Sequence, residues 1–225
     1  MKKNQSGFTL IEIAIVMVII GLLLGGVLKG QEMINSAKVR AVNNRVDGVA
    51  ASWFAFQDRY RALPGDYTTA ATNIPPIGAI APVNGSGDGL IGTNAERGQV
   101  WFHLAAAGFI SGSYDGTASA AATYNCPTTR CADNSFSVGM LISNGNEAQN
   151  NTGTRNELIT GMGISSSILA ELDRKIDDGF ATSGTMQLGN GGAGWAAAAV
   201  TACLNGTGYQ TVTPSANCAA VLRNI

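Results

Sequence analysis

Residues 8–28, FTLIEIAIVMVIIGLLLGGVL, form an apolar stretch that carries a single charge, the carboxylate of Glu12. As a helix, these 21 residues would span roughly 31 Å at about 1.5 Å per residue, which matches the hydrocarbon core of a bilayer. Lys2 and Lys3 precede the stretch, and basic residues favour the cytoplasmic side of a membrane. We therefore expect one transmembrane helix with a cytoplasmic N-terminus, followed by an exported chain.

Glu12 separates three interpretations of this stretch. A cleaved secretory signal peptide would normally have a shorter apolar region followed by small residues at the cleavage site, which Lys29, Gly30 and Gln31 do not supply. A simple membrane anchor explains the length, but it leaves a carboxylate inside hydrocarbon, which is unfavourable. The third interpretation must therefore explain both the length and the charge.

The sequence Gly7-Phe8-Thr9-Leu10-Ile11-Glu12 after a short basic leader resembles the processing signal of type IV pilins and type II secretion pseudopilins. The resemblance implies that a prepilin peptidase cuts after Gly7 and methylates the new N-terminal residue, Phe8. It also assigns Glu12 to assembly, because the cationic amine at Phe8 would give a buried carboxylate a partner. The expected fold is a pilin-like α+β fold, in which a long N-terminal helix, membrane-embedded in its first half, packs on a small antiparallel-sheet head.

Beyond the membrane stretch, apolar residues recur at alternating steps of three and four, namely Val39, Val42, Val46, Val49, Trp53, Phe56 and Tyr60. This spacing predicts one apolar helix face, which packs against the head; a coiled coil is the alternative, although three heptads are few. Pro64 ends the helix, because the residue before a proline avoids the helical region. We predict a cleaved leader over 1–7, a transmembrane and filament-core helix over 8–28, an amphipathic continuation over 29–62, and a globular head over 63–225.

The charge distribution limits the partners of this head. Only 13% of the residues are charged, against about 25% in ordinary soluble domains, and residues 62–225 contain six Lys and Arg against eleven Asp and Glu. Nucleic-acid binding relies on basic patches, so no nucleic-acid partner is expected. The resemblance instead implies other pilin subunits, the prepilin peptidase, the inner-membrane assembly platform and the membrane itself as partners. The expected location is the bacterial inner membrane, followed by a pilus or a periplasmic filament.

Four cysteines follow the membrane stretch and therefore lie on the oxidising side: Cys126, Cys131, Cys203 and Cys218. Three pairings are possible. We favour Cys126–Cys131 and Cys203–Cys218, because neighbours in sequence meet most easily and Pro127 favours a turn. A zinc site is the alternative, but neither spacing is the C-x-x-C of a zinc knuckle.

The remaining pattern predicts the elements of the head. Loops rich in Pro and Gly are expected over 66–98, short helices over 97–109 and 164–176, and strands over 135–143 and 185–188. Residues 195–202 fit either a strand or a helix.

Little in the sequence indicates catalysis. The single histidine, His103, accompanies no catalytic motif, and a structural or surface role is favoured. We therefore expect a structural filament subunit rather than an enzyme. The alternatives are a minor pilin whose head is an adhesin, or a type II secretion pseudopilin.

A calcium site is the one cofactor hypothesis. Asn84, Ser86 and Asp88 alternate before Gly89, as oxygen ligands do in the first half of an EF-hand loop. The glutamate expected at the twelfth position is displaced by one residue to Glu96, and Asp66 could also reach the site. The alternative is a simple turn built from Gly, Asn and Asp.

Overall fold

The computed structural model describes residues 9–118, 124–150, 153–191, 195, 197–223 and 225. The chain divides into two compact units, Met1–Lys38 and Val39–Ile225. Within the first unit the described residues are helical from Leu10 onward, and their large apolar side chains are exposed.

Helix α1 covers Leu10–Tyr60 without a break. In the second unit it buries the predicted apolar face: Val39, Val42, Val46, Val49, Trp53 and Phe56 are at most 5% exposed. Tyr60 is partly buried against the same core. The apolar face predicted from the spacing of three and four residues is thus confirmed, because these side chains lie together on the buried face of the helix.

Four further helices and six strands are described, in chain order α2 (Ala70–Asn73), α3 (Asn94–Ala106), β1 (Leu141–Gly145), β2 (Arg155–Ile159), α4 (Ser166–Ile176), β3 (Met186–Leu188), α5 (Ala197–Thr201), β4 (Leu204–Asn205), β5 (Gly208–Tyr209) and β6 (Ala220–Leu222). The main sheet has the order β1-β2-β6-β3, and its pairs are antiparallel. Strands β4 and β5 form a separate hairpin. The expected α+β fold, a long N-terminal helix with a small antiparallel-sheet head, is confirmed.

The strand predicted over 135–143 is wrong over its first six residues, since β1 begins only at Leu141. Ser135 and Ser137 have φ angles of 74° and 63°, a left-handed conformation that a strand does not use. The Asn134 side-chain oxygen accepts a hydrogen bond from the Phe136 amide at 2.8 Å, and such a bond to the residue two positions on makes an Asx turn. A polar side chain therefore bends a segment whose apolar alternation indicates a strand.

The two disulfides join Cys126 to Cys131 and Cys203 to Cys218, with Cα–Cα distances of 6.0 and 5.9 Å. These are the pairs that sequence proximity favours. Strand β6 follows directly on the second pair and lies between β2 and β3, so this crosslink fixes the chain just before it enters the centre of the sheet.

Candidate functional site

Glu12 makes a reciprocal set of hydrogen bonds with Thr9 at the start of α1. Its Oε2 atom accepts from the Thr9 amide and the Thr9 hydroxyl, both at 2.8 Å, and the Glu12 amide donates to the Thr9 hydroxyl at 3.3 Å. This is a capping box, in which a threonine and the glutamate three residues later satisfy each other's helix-end amides. The Thr-x-x-Glu spacing is visible in the sequence, but the sequence interpretation considered Glu12 only as an assembly residue.

The capping box leaves half of the Glu12 carboxylate available. All of its bonds to the described residues use Oε2, and Oε1 has no partner among them. Gly7 and Phe8, the predicted processing residues, lie outside the described part of the chain. One carboxylate oxygen of Glu12, in the first turn of the helix, therefore makes no hydrogen bond within the described part of the chain.

The surface around Glu12 is apolar. Helix α1 is long enough, and over an 18-residue stretch apolar enough, to cross a membrane, and none of that stretch is buried within the chain. Lys29 and Glu32 form the ion pair that follows the apolar stretch, with a distance of 2.7 Å between Nζ and Oε2. The helix thus presents one acidic group on a surface that needs either lipid or other helices to cover it.

A second candidate site combines three carboxylates of the head. One oxygen each from Asp66, Asp88 and Glu96 lie within 4.8 Å of one another, although Asp66 is far from the other two in sequence. The chain approaches Asp66 through Gly65, whose φ of 92° is one that glycine adopts without strain. The structure therefore confirms that Asp66 reaches the 84–96 loop.

Hydrogen bonds from the loop hold the two buried carboxylates in place. Asp66 accepts from the amides of Gly87 and Gly89 at 2.5 and 2.8 Å. Glu96 accepts from the Ser86 hydroxyl at 2.7 Å and from the Thr93 amide at 2.9 Å, closing the capping box of α3. Burial acts to raise the pKa of Glu96, but these bonds outweigh it and the pKa lies below its usual value. Glu96 is therefore held as an anion.

The four predicted calcium ligands occupy different environments. Ser86 lies between Asp66 and Glu96 and donates its hydroxyl to them at 3.0 and 2.7 Å. Asp88 is exposed and belongs to the group of carboxylates. The side-chain oxygen of Asn84 accepts from the Ala71 amide at 2.8 Å and so holds α2.

His103 holds the same region from inside the core. Its Nδ1 accepts from the Gly65 amide at 2.9 Å, and its Nε2 lies 3.0 Å from the Val83 carbonyl oxygen, so the neutral ring donates there. Burial lowers the pKa of His103 to about 4. The structural role favoured for this histidine therefore consists in fixing both ends of the 65–83 segment.

A second acidic group, absent from the sequence interpretation, lies at the end of α4. Asp173, Asp177 and Asp178 each contribute an oxygen within 4.8 Å of the others. Burial raises the pKa of Asp173 to about 6, and the Tyr209 hydroxyl donates to it at 2.8 Å. The signal in the sequence is the Asp-Asp-Gly run after the helix, which marks a turn but does not indicate that Asp173 faces it.

Comparisons with known proteins concern the N-terminal segment. Searches of curated proteins and of solved structures found no match to the chain. A family model described as the prokaryotic N-terminal methylation motif matches residues 2–28, the region that includes the capping box and the start of the exposed apolar helix. These residues therefore carry the prokaryotic N-terminal methylation motif, which is the signature of type IV pilins and pseudopilins.

Proposed function

We propose that the chain is a structural subunit of a type IV pilus or a related filament, and not an enzyme. Residues 1–7 are a leader that prepilin peptidase removes, and residues 8–28 anchor the protein in the inner membrane before assembly. The amphipathic continuation over 29–62 carries the exported head over 63–225. An inner-membrane assembly platform then transfers the subunit into a filament with other pilin subunits.

The observation that carries this proposal is the combination of an exposed apolar helix with one half-satisfied carboxylate. An apolar helix bundle would cover the exposed side chains of α1, as lipid does in the membrane. Within that bundle, Oε1 of Glu12 would accept a hydrogen bond from the cationic amine of Phe8 of an adjacent subunit. The attraction between the two charges would be only weakly screened in these apolar surroundings. A misplaced subunit would leave both charges unpaired, so the pair would also fix the register.

The experiment compares Glu12→Gln and Glu12→Ala with the wild type, by quantifying mature protein in membranes and in sheared filaments. Glu32→Gln is the matched control, because Glu32 is an exposed glutamate on the same helix whose partner, Lys29, lies within the chain. Both Glu12 variants should be processed and inserted normally, while their incorporation into filaments falls sharply. Wild-type incorporation of Glu12→Ala would contradict the proposal.

Processing is tested by intact mass. The mature protein should lack residues 1–7 and carry one additional methyl group on Phe8. An N-terminus at Met1, in membranes that contain an active prepilin peptidase, would contradict the assignment of Gly7 and Phe8.

The position of the subunit in a filament is a separate question, for which copy number is the measurement. A subunit of the shaft should be abundant in sheared filaments relative to membranes. A tip adhesin should occur at a few copies per filament, and a pseudopilin should stay in the cell envelope.

We also propose that the group of Asp66, Ser86, Asp88 and Glu96 binds calcium, with Asn84 holding the neighbouring backbone. Carboxylate and hydroxyl oxygens are the ligands that calcium takes, and Asp88, which is exposed, gives access from solvent. The thermal midpoint of the purified protein should rise with added calcium and fall with EDTA. Equal midpoints under both conditions would exclude the site.

A further inference from the structure

A cleft of about 520 Å³ opens at the carboxyl end of α1, where the helix meets the 65–68 turn and the 87–89 loop. Its volume lies in the range of small-molecule sites. The cleft belongs wholly to the second unit and to residues outside the apolar filament helix. A ligand there would therefore add a binding activity that the assembly proposal does not require.

Two tyrosines form rigid walls of the cleft. The rings of Tyr60 and Tyr67 are 5.6 Å apart between centroids. Phe56 packs on Tyr60 at 4.6 Å, and the Tyr67 hydroxyl accepts from the Asn73 amide group at 2.5 Å. Aromatic rings that are already held in place offer apolar contact area at little entropic cost on binding.

Polar groups without partners line the same cleft. Three of these groups make no hydrogen bond to any described residue: the Gln57 amide group, the Tyr60 hydroxyl and the Thr68 hydroxyl. Gln57 and Tyr60 are half-buried. Each of the two hydroxyls can both donate and accept, and an amide group offers both functions side by side. Such a set complements a ligand with several hydroxyl groups.

Glycines keep the opposite side of the cleft clear. Gly87 and Gly89 have φ angles of 77° and 83°, and they line the cleft with backbone alone. A Cβ atom on Gly87 would collide with Cγ2 of Thr68, whereas one on Gly89 would meet open space. The cleft therefore stays open because these two positions have no side chains.

The charges near the cleft favour a neutral ligand. Arg61, at the rim, pairs with Asp58 at 3.6 Å, and Arg59 lies over the Tyr60 ring at 5.2 Å. On the other side, both carboxylate oxygens of Asp66 accept backbone amides. An anion would meet the carboxylate of Asp66, and an organic cation would meet the guanidinium of Arg61.

We propose that this cleft binds a neutral carbohydrate. The apolar C–H face of a sugar ring would stack on Tyr60 or Tyr67, and its hydroxyls would bind the Gln57 amide group and the Thr68 hydroxyl. The proposal does not depend on filament assembly, because all of these groups lie in the second unit, outside the apolar stretch over 8–28.

The test is saturation-transfer NMR on the full-length protein, in a detergent without a sugar head group. Three probes are used: a neutral glucose oligosaccharide, an N-acetylglucosamine oligosaccharide and a sialylated oligosaccharide. Gln57→Leu and Thr68→Val each remove hydrogen bonds while nearly conserving volume, and Thr68→Trp fills the cleft. Thr72→Val is the matched control, because Thr72 is an exposed threonine of α2 outside the cleft.

A neutral probe should give saturation transfer. Its affinity should fall roughly fivefold for Gln57→Leu and for Thr68→Val, as the loss of one net hydrogen bond implies, and binding should vanish for Thr68→Trp. Thr72→Val should bind as the wild type, and all variants should keep the wild-type thermal midpoint. The relative strength of the two neutral probes would separate a hexose polymer from an N-acetylhexosamine polymer as the source. Absence of transfer from both neutral probes, binding that survives Thr68→Trp, or a preference for the sialylated probe would overturn the proposal.

Discussion

His103 should make the stability of the head depend on pH. The ring is fully buried, and its Nδ1 accepts the Gly65 amide. Protonation would place a hydrogen on Nδ1 opposite the N–H group of Gly65, so that two donors would face each other. The folded protein therefore resists protonation of this ring.

The magnitude follows from the two pKa values. Burial lowers the pKa of His103 from 6.5 to about 4 in the folded state. The unfolded chain thus takes up the proton first as the pH falls, and the stabilising contribution is complete above pH 6.5 and lost progressively down to about pH 4. At roughly 1.4 kcal/mol per pH unit, this one group should lower the free energy of unfolding by about 3 kcal/mol over that pH range.

Other groups act in the opposite direction and require a control variant. Burial raises the pKa of Asp173 to about 6, and it also raises the pKa values of Glu147 and Glu157. These carboxyl groups bind protons more readily when folded, so they favour the folded state as the pH falls. His103→Gln keeps a donor and an acceptor but does not titrate, and it leaves those carboxyl groups unchanged.

The assay is urea unfolding at pH 7.5 and at pH 4, followed by the fluorescence of the three tryptophans, all of which are buried in the second unit. Between these two pH values, the free energy of unfolding should fall by about 3 kcal/mol more for the wild type than for His103→Gln. An equal pH dependence of the two proteins would refute the assignment of the effect to His103.

Three further predictions concern the helix cap, the acidic group and the disulfides. Thr9→Val should reduce incorporation into filaments about fivefold without blocking processing, as measured in sheared filaments beside the Glu12 variants. Asp66→Asn should abolish any effect of calcium on the thermal midpoint, measured by differential scanning calorimetry with and without EDTA. Replacing the Cys203–Cys218 pair by serines should lower the free energy of urea unfolding by about 3 kcal/mol, and replacing the Cys126–Cys131 pair should lower it by about 2 kcal/mol, because the Cys126–Cys131 loop is shorter. Equal costs would contradict the loop-length argument.

Local periodicity accounts for what the sequence predicts well. The apolar face of α1 follows from residues three and four apart, such as Val46, Val49 and Trp53, whose positions depend only on helix geometry. The strand order does not follow from such patterns. Strand β6 is the last element of the chain and yet pairs with both β2 and β3, a consequence of long-range packing that three residues of sequence do not specify.

The candidate calcium site also combines features that local spacing predicts with features that depend on long-range packing. The spacing of Ser86 and Asp88 indicates oxygen atoms on one loop, and the structure places these residues beside Glu96. The contact of Asn84 could not be predicted in this way, because α2, a helix of four residues that no periodic pattern marks, donates the Ala71 amide to the Asn84 side chain. A ligand set predicted from one loop does not include the hydrogen bonds that a neighbouring element makes to the same oxygen atoms.

The two substitutions of Glu12 would separate its observed capping bond from its proposed pairing with an amine. The capping box uses Oε2 and requires only an acceptor, which glutamine retains and alanine lacks. Pairing with a cationic amine requires the charge, which both substitutions remove. If the cap alone matters, Glu12→Gln should assemble like the wild type and Glu12→Ala should not. If the charge matters, the two variants should fail together. In the proposed filament, a carboxylate that is satisfied on one side by its own helix, and open on the other, would be tolerated in a single chain and would still select its partner.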